Sequence, residues 1–399
     1  MKGRDDSLLI HNTISMTDSS ESFRECQMNV IRNRIAVIAT VALLFSGVPL
    51  LLTVSTGIIP LRRRINPPVI EFPLGDLSDV APSPIHISNR KTQRPPPSAL
   101  AWLMSFPNSG TSYTMRLITR TTKTLVATNY QKTESSEERQ LYPVYSGHSE
   151  GPFWPDPNQS QYRTPPSYVL TKTHCGSRCN DCGPVYYLRD FKDFETLCST
   201  GSKLELSPDG REESITVSYN ITQVKRAVHL IRNPFDNVVA RFHLERHRMV
   251  KSNETDKLAR FPNSREGFRN FCGYMNHRWH DEVKRFWLKD EIGMMRDIPC
   301  RDDFFRYVVW HNLAFAVTHE KLRIPSLVVH YEDYEERFKE TVSELFDFLD
   351  LEPETEPYPF HKGHAYHDYF TTDERIAAAR AMKIISTTTT WNNIVHYFL

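Results

Sequence analysis

No excess of charge of either sign marks this chain. Its 49 Lys and Arg residues stand against 48 Asp and Glu, a formal net charge of +1 over 399 residues. That balance removes the electrostatic footprint of a DNA- or RNA-binding protein. No internal repeat is found, which removes the solenoid and propeller architectures. Cysteine is scarce before residue 62, where Cys26 is the sole example; the other six, at 175, 179, 182, 198, 272 and 300, all follow. The most informative absence is local. Ile35–Leu61 carries no charged residue at all, and it exceeds the ~20 residues that a membrane-spanning helix needs.

That run has no polar face, so a buried soluble helix does not explain it. It is too long, and starts too far into the chain, for a cleaved signal peptide. It reads as a single transmembrane signal anchor over 35–61. Residues 1–34 before it are polar and read as a disordered cytoplasmic tail. Residues 62–98 contain Pro67, Pro68, Pro73, Pro82, Pro84, Pro95, Pro96 and Pro97, the composition of an extended stem without a core. The folded domain is expected over 99–399. Arg24, Arg32 and Arg34 before the span nearly balance Arg62, Arg63 and Arg64 after it, so loop charge leaves the orientation open. The sequons at Asn158, Asn220 and Asn253 and the six downstream cysteines place the C-terminal part in an oxidising lumen.

Within 99–399, apolar runs alternate with helical patterns, which predicts an α/β fold with a central parallel sheet covered on both faces. Strands are expected at Ala99–Phe106, Tyr168–Leu170, Ala227–Ile231 and Leu327–Val329. Asn233 and Pro234 form a helix start as N-cap and first helical residue. Phe235, Val238, Val239 and Phe242 follow as one apolar stripe, and Phe305, Val308, Val309, Leu313, Ala316 and Val317 form another. A further helix puts Phe338, Val342, Leu345, Phe346 and Leu349 inward. In open parallel sheets, ligands bind beyond the carboxyl ends of the strands.

The first strand breaks at Pro107 into Asn108-Ser109-Gly110-Thr111-Ser112, followed by a helix with Met115, Leu117, Ile118 and Leu125 on its apolar face. Strand, tight loop and helix together make an anion site. Backbone N–H groups and the positive end of the helix dipole converge there, Gly110 permits close approach, and three hydroxyls add donors. The second glycine and the lysine of a nucleoside-triphosphatase loop are missing. Arg232 ends a strand beside a helix start, where a guanidinium can clamp a phosphate. Lys172 and His174 end another strand; a neutral imidazole suits proton abstraction, and a fixed ammonium stabilises developing negative charge. His174, Cys175, Cys179 and Cys182 also have spacing compatible with a small zinc site. With no second Cys/His pair at finger-like spacing, disulfides are favoured, their connectivity open.

Phe106-Pro107-Asn108-Ser109-Gly110-Thr111-Ser112-Tyr113 resembles the 5′-phosphosulfate loop of the sulfotransferase superfamily, commonly written Y-P-K-S-G-T-T-W. Val228–His243 is similar to that superfamily's 3′-phosphate motif, with Arg232, Asn233, Pro234 and Asp236 matched. Lys172-Thr173-His174 resembles the K-T-H segment of the cytosolic-type enzymes. Leu327–Glu332 resembles L-V-V-x-Y-E, and His361-Lys362-Gly363 resembles the R-K-G phosphate clip. The matches occur in family order from about Leu103 to Gly363.

The resemblance implies a three-layer P-loop-type fold, preceded here by the anchor and stem. It implies a sulfuryl donor, 3′-phosphoadenylyl sulfate, and no metal. His174 would be the general base and Lys172 its cationic partner. Asn108, Ser109, Gly110, Thr111, Ser112, Tyr113, Arg232, Ala240, Lys362 and Gly363 would hold the donor, Tyr113 by stacking on adenine. Two positions depart from the pattern: the loop lysine falls on Asn108 and the 3′-phosphate serine on Ala240. Arg116 is a candidate to replace the lost loop charge, and Arg241 or His243 the lost serine contact. The implied reaction is transfer to a hydroxyl or amine acceptor by in-line displacement in the Golgi lumen. Anchor and stem favour a glycan or glycoconjugate acceptor, with Tyr142, Tyr145, Phe153, Trp154 and Arg163 as candidate cleft residues. The partners are then the donor, such an acceptor and the membrane, without nucleic acid. The alternatives are a kinase using ATP and Mg²⁺, or a non-catalytic member that binds nucleotide or glycan without turnover.

Overall fold

The computed structural model describes residues 99–130, 163–177, 182–282, 295–361 and 366–398. All belong to one compact unit, Asn89–Leu399. The expected tail, anchor and stem over 1–98 lie outside the described residues, and among those described no helix is long and apolar enough to cross a membrane.

The core is a five-stranded sheet in the order β2-β3-β1-β6-β7, with every pairing parallel. Its strands are β1 (Ala99–Ser105), β2 (Ala127–Thr128), β3 (Tyr168–Thr173), β6 (Val224–Ile231) and β7 (Ser326–His330). Strand β1 is buried from Leu100 to Ser105, as a strand covered on both faces must be. Alternate side chains enter two separate cores. Leu100, Trp102 and Met104 join one, packed by α3 (Pro234–Lys251), α5 (Arg265–Arg278), α6 (Arg301–Phe315) and α9 (Thr372–Ile385). Ala101 and Leu103 join the other, with Met115, Leu117 and Ile118 of α1 (Thr111–Thr122) and Val342, Leu345, Phe346 and Leu349 of α8 (Phe338–Leu349). Helices α2 (Phe191–Cys198), α4 (Thr255–Arg260), α7 (Asp333–Glu336) and α10 (Thr388–Ile394) are the other α-helices among the described residues.

The four expected strands are present; three run past their apolar stretches because polar ends continue the pairing, and β1 stops at Ser105, one residue short of Phe106. Asn233 caps α3 as predicted, accepting from the Phe235 N–H at 2.9 Å, with Pro234 first in the helix. The stripe Phe235, Val238, Val239 and Phe242 is buried. Leu125 is buried but lies past α1, which Lys123 closes with a φ of 54°. Helix α6 carries its apolar stripe yet is buried nearly all round, and it continues as a π-helical segment, Ala316–Lys321. Residues 200–218, for which no strand was expected, form an antiparallel hairpin of β4 (Thr200–Leu206) and β5 (Glu212–Ser218).

Two disulfides join described residues, Cys175–Cys198 and Cys272–Cys300; Cys182 is disulfide-bonded as well. With Cys175 and Cys182 oxidised, the zinc alternative loses two of its three thiolates. The Cys175–Cys198 bond ties the end of β3 to the end of α2 across 23 residues. Closing a loop of that length stabilises a fold by about 3 kcal/mol. A Cys175→Ser/Cys198→Ser double variant is therefore expected to unfold at lower urea concentration, with a loss of about 2–4 kcal/mol by equilibrium denaturation.

Candidate functional site

Three adjacent strands deliver the site. The β1–β3 register pairs Met104 with Thr173, so Ser105 and His174 come side by side at the carboxyl edge. The β1–β6 register pairs Ser105 with Leu230, which brings the loop at Pro107 beside Arg232. Later strands add on either side of β1, and the crevice opens where the order changes direction. A cleft of about 340 Å³ occupies it, lined by Asn108, Gly110, Thr111, Ser112, Tyr113, Lys172, His174 and Arg232. Eight of the residues expected from sequence thus converge on one cavity, of a size that holds small ligands.

The loop turns at two left-handed residues, Asn108 (φ 69°) and Gly110 (φ 95°). Asn tolerates that region, and Gly enters it without cost. Gly110 is the N-cap of α1, whose first turn contains no acidic residue, so the positive end of the dipole is left uncompensated within that turn. A Cβ on Gly110 would fall 2.2 Å from Cδ2 of Tyr331. Gly110→Ala therefore combines backbone strain of about 1–3 kcal/mol with a steric overlap. Reduced thermal stability and weakened anion binding are expected together, as read by a melting curve with and without ligand.

Arg232 is fixed from several directions. Its guanidinium donates to the Asn108 carbonyl at 2.9 Å and lies 4.8 Å from the Tyr331 ring centroid. Its own carbonyl accepts from the Tyr307 hydroxyl at 2.7 Å. The next residue, Asn233, donates its N–H to Glu332, which also accepts from Tyr397. Burial pushes the Glu332 carboxyl up, and the hydrogen bonds from Tyr397 and Asn233 pull the other way. Arg232 Nε is buried without a hydrogen-bond partner, a donor held inside the protein at the cleft.

His174 is held by its backbone more than by its ring. Its carbonyl accepts from Trp310 Nε1 at 2.9 Å and from both the N–H and the hydroxyl of Ser177. Its N–H donates to the Tyr130 hydroxyl, and the Tyr130 ring stacks on the imidazole at 5.5 Å. The adjoining Cys175 carries the disulfide. In the ring, Nδ1 lies 2.7 Å from the Ser105 carbonyl. A carbonyl can only accept, so the neutral imidazole carries its proton on Nδ1 and its lone pair on Nε2. That leaves Nε2 as the ring nitrogen able to accept a proton.

Other expected residues stand elsewhere. Ser109 is fully buried, and its hydroxyl accepts from Asn237 instead of lining the cleft. Ala240 is not among the lining residues, but the neighbouring Arg241 is. Arg116 is exposed and does not line the cleft. His243 packs against the rings of Tyr366 and Tyr369. Arg163 pairs with Glu354. Tyr113 lines the cleft from an aromatic cluster, edge-on to Tyr334 and Phe360, with its hydroxyl donating to the Tyr358 carbonyl; burial pushes its phenol well up. Lys362, Gly363, Tyr142, Tyr145, Phe153 and Trp154 lie outside the described residues.

Ser177, Leu244, Glu245 and Arg248 line the cleft without having been expected. The last three form, with Arg241, an i, i+3, i+4, i+7 set on α3, a stripe beside the apolar one that was recognised. That polar periodicity was the available signal. Among the described residues, no group of three or more His, Cys, Asp or Glu side chains is placed to hold a metal ion. No protein-family model matches the chain, and no curated protein matches it.

Proposed function

We propose that this protein is a membrane-anchored sulfotransferase. It transfers a sulfuryl group from 3′-phosphoadenylyl sulfate to a hydroxyl (or amine) acceptor, favouring a glycan or glycoconjugate, in the Golgi lumen. The observation that carries this reading is the convergence of the anion loop, Arg232, Lys172 and His174 on one cleft. The lumenal placement is supported by the disulfides and by exposed sequon asparagines at Asn220 and Asn253.

The residues fit the donor chemically. The α1 N-terminus and the Thr111 and Ser112 hydroxyls suit the 5′-phosphosulfate, as in other helix-terminus anion sites. Arg232, with its unpartnered Nε, suits the 3′-phosphate, and Tyr113 offers a ring for adenine. The donor supplies the sulfuryl group and carries away the leaving phosphate. Nε2 of His174 takes the proton of the acceptor hydroxyl as its oxygen bonds to sulfur. The bond from sulfur to the 5′-phosphate oxygen breaks, leaving its electron pair on 3′-phosphoadenosine 5′-phosphate. Lys172, almost fully buried at the cleft, stabilises the charge that gathers on the sulfuryl oxygens and the leaving phosphate. Because the loop holds Asn108 where the superfamily has lysine, Lys172 carries a larger share of that task.

The test is incubation of the full-length chain with ³⁵S-labelled 3′-phosphoadenylyl sulfate and a mixture of desulfated oligosaccharides in chelator. Label transferred to saccharide is the expected result. Phosphate transferred from ATP, with no sulfuryl transfer, would replace the reading with a kinase.

A further inference from the structure

Beyond the proposed donor subsite the cleft follows α3, from Arg241 through Leu244 and Glu245 to Arg248. At 1.5 Å per residue, these side chains stand roughly 10–20 Å along the helix from its start beside Arg232. Both guanidiniums of this wall already have carboxylate partners. Arg241 Nε lies 3.4 Å from Asp303 Oδ1, with both side chains almost completely buried. Asp303 is in turn 3.6 Å from the buried Arg306. Arg248 donates to Glu245 Oε1 at 2.7 Å. Arg241, Arg248 and Arg306 against Asp303 and Glu245 leave a balance of only +1, with each lining guanidinium already beside a carboxylate.

An acidic acceptor placed here would lie against the Glu245 carboxylate and would have to compete for guanidiniums that are already paired. An uncharged polyol meets no such opposition. Glu245 accepts hydrogen bonds from hydroxyls and Arg248 donates to them, while Leu244 packs on the apolar face of a sugar ring. We infer that the acceptor is an uncharged, hydroxyl-rich saccharide instead of a uronate- or sulfate-bearing one. This inference rests on the sulfuryl-transfer reading and narrows its substrate class.

Transfer of ³⁵S to a neutral hexose oligosaccharide and to a hexuronate oligosaccharide of equal length tests it, with the full-length chain and several salt concentrations. The wild type should favour the neutral acceptor by about tenfold or more in kcat/KM. Glu245→Gln should narrow that ratio by raising transfer to the hexuronate, and Arg248→Gln should widen it. The opposite signs separate a charge effect from a loss of folding, which moves both acceptors together. A wild-type preference for the hexuronate would overturn the inference, as would a ratio that neither variant shifts. Binding of 3′-phosphoadenosine 5′-phosphate to the wild type, measured in parallel, separates the two levels. With the bisphosphate bound and the hexuronate preferred, only the acceptor class is wrong; with no bisphosphate bound, the donor reading fails first.

Discussion

His174→Gln is expected to lower sulfuryl transfer by about 10²–10⁴-fold, the range that a positioned general base contributes. Donor binding should change little, because the donor groups assigned above belong to the loop, α1 and Arg232. The fold should also survive. His174 is fixed through its carbonyl by Trp310 and Ser177, and those bonds do not involve the ring. What the variant loses is the Nδ1 contact to Ser105 and the stack on Tyr130, a cost of about 1 kcal/mol in stability. Single-turnover transfer and a melting curve on the same preparation separate these effects. Transfer at the wild-type rate would remove His174 from the chemistry.

Arg232→Ala is expected to have the largest effect on donor affinity. Truncating a buried, charge-assisted contact costs about 2–5 kcal/mol, roughly 30-fold to several-thousandfold in Kd. The loss has two parts: the phosphate loses its clamp, and the Asn108 carbonyl loses the donor that holds the loop at its left-handed turn. Arg232→Lys should recover only a fraction, since a single ammonium cannot bond the carbonyl and a phosphate with the planar geometry of a guanidinium. Calorimetric titration with 3′-phosphoadenosine 5′-phosphate measures both variants. Equal affinity in wild type and Arg232→Ala would place the phosphate elsewhere.

Four of the five strands of the sheet were legible because they are short apolar runs that end in polar residues, and α3 because Asn233 and Pro234 announce its start; β2, two residues long, was not. The convergence of the loop, Lys172, His174 and Arg232 was legible too, since parallel strands put their carboxyl ends at one edge. Side-chain direction was not. Ser109 and Thr111 stand two residues apart in one loop, yet Ser109 turns inward to Asn237 while Thr111 lines the cleft. A tight turn through Asn108 and Gly110 decides which way each points, and periodicity carries no such information. The α3 wall of the cleft was missed for another reason. Arg241 was a candidate for the lost serine contact, but Leu244, Glu245 and Arg248 were not singled out, and only the fold brings them to the same cleft. The hairpin β4–β5 was missed although its alternation is in the sequence, Leu204 and Leu206 against Lys203 and Glu205, and Ile215 and Val217 against Thr216 and Ser218.

The central claim, that the cleft is built for a 3′-phosphorylated adenosine anion, is tested most directly by thermal stabilisation of the full-length chain in chelator. The ligands to compare are 3′-phosphoadenosine 5′-phosphate and, in a separate Mg²⁺ buffer, ATP. A ligand at 100 times its Kd adds about 2.7 kcal/mol to the folded state. The bisphosphate should raise Tm without metal in the wild type and fail to do so in Arg232→Ala. Stabilisation by ATP and Mg²⁺ alone, or by neither ligand, would contradict the assignment.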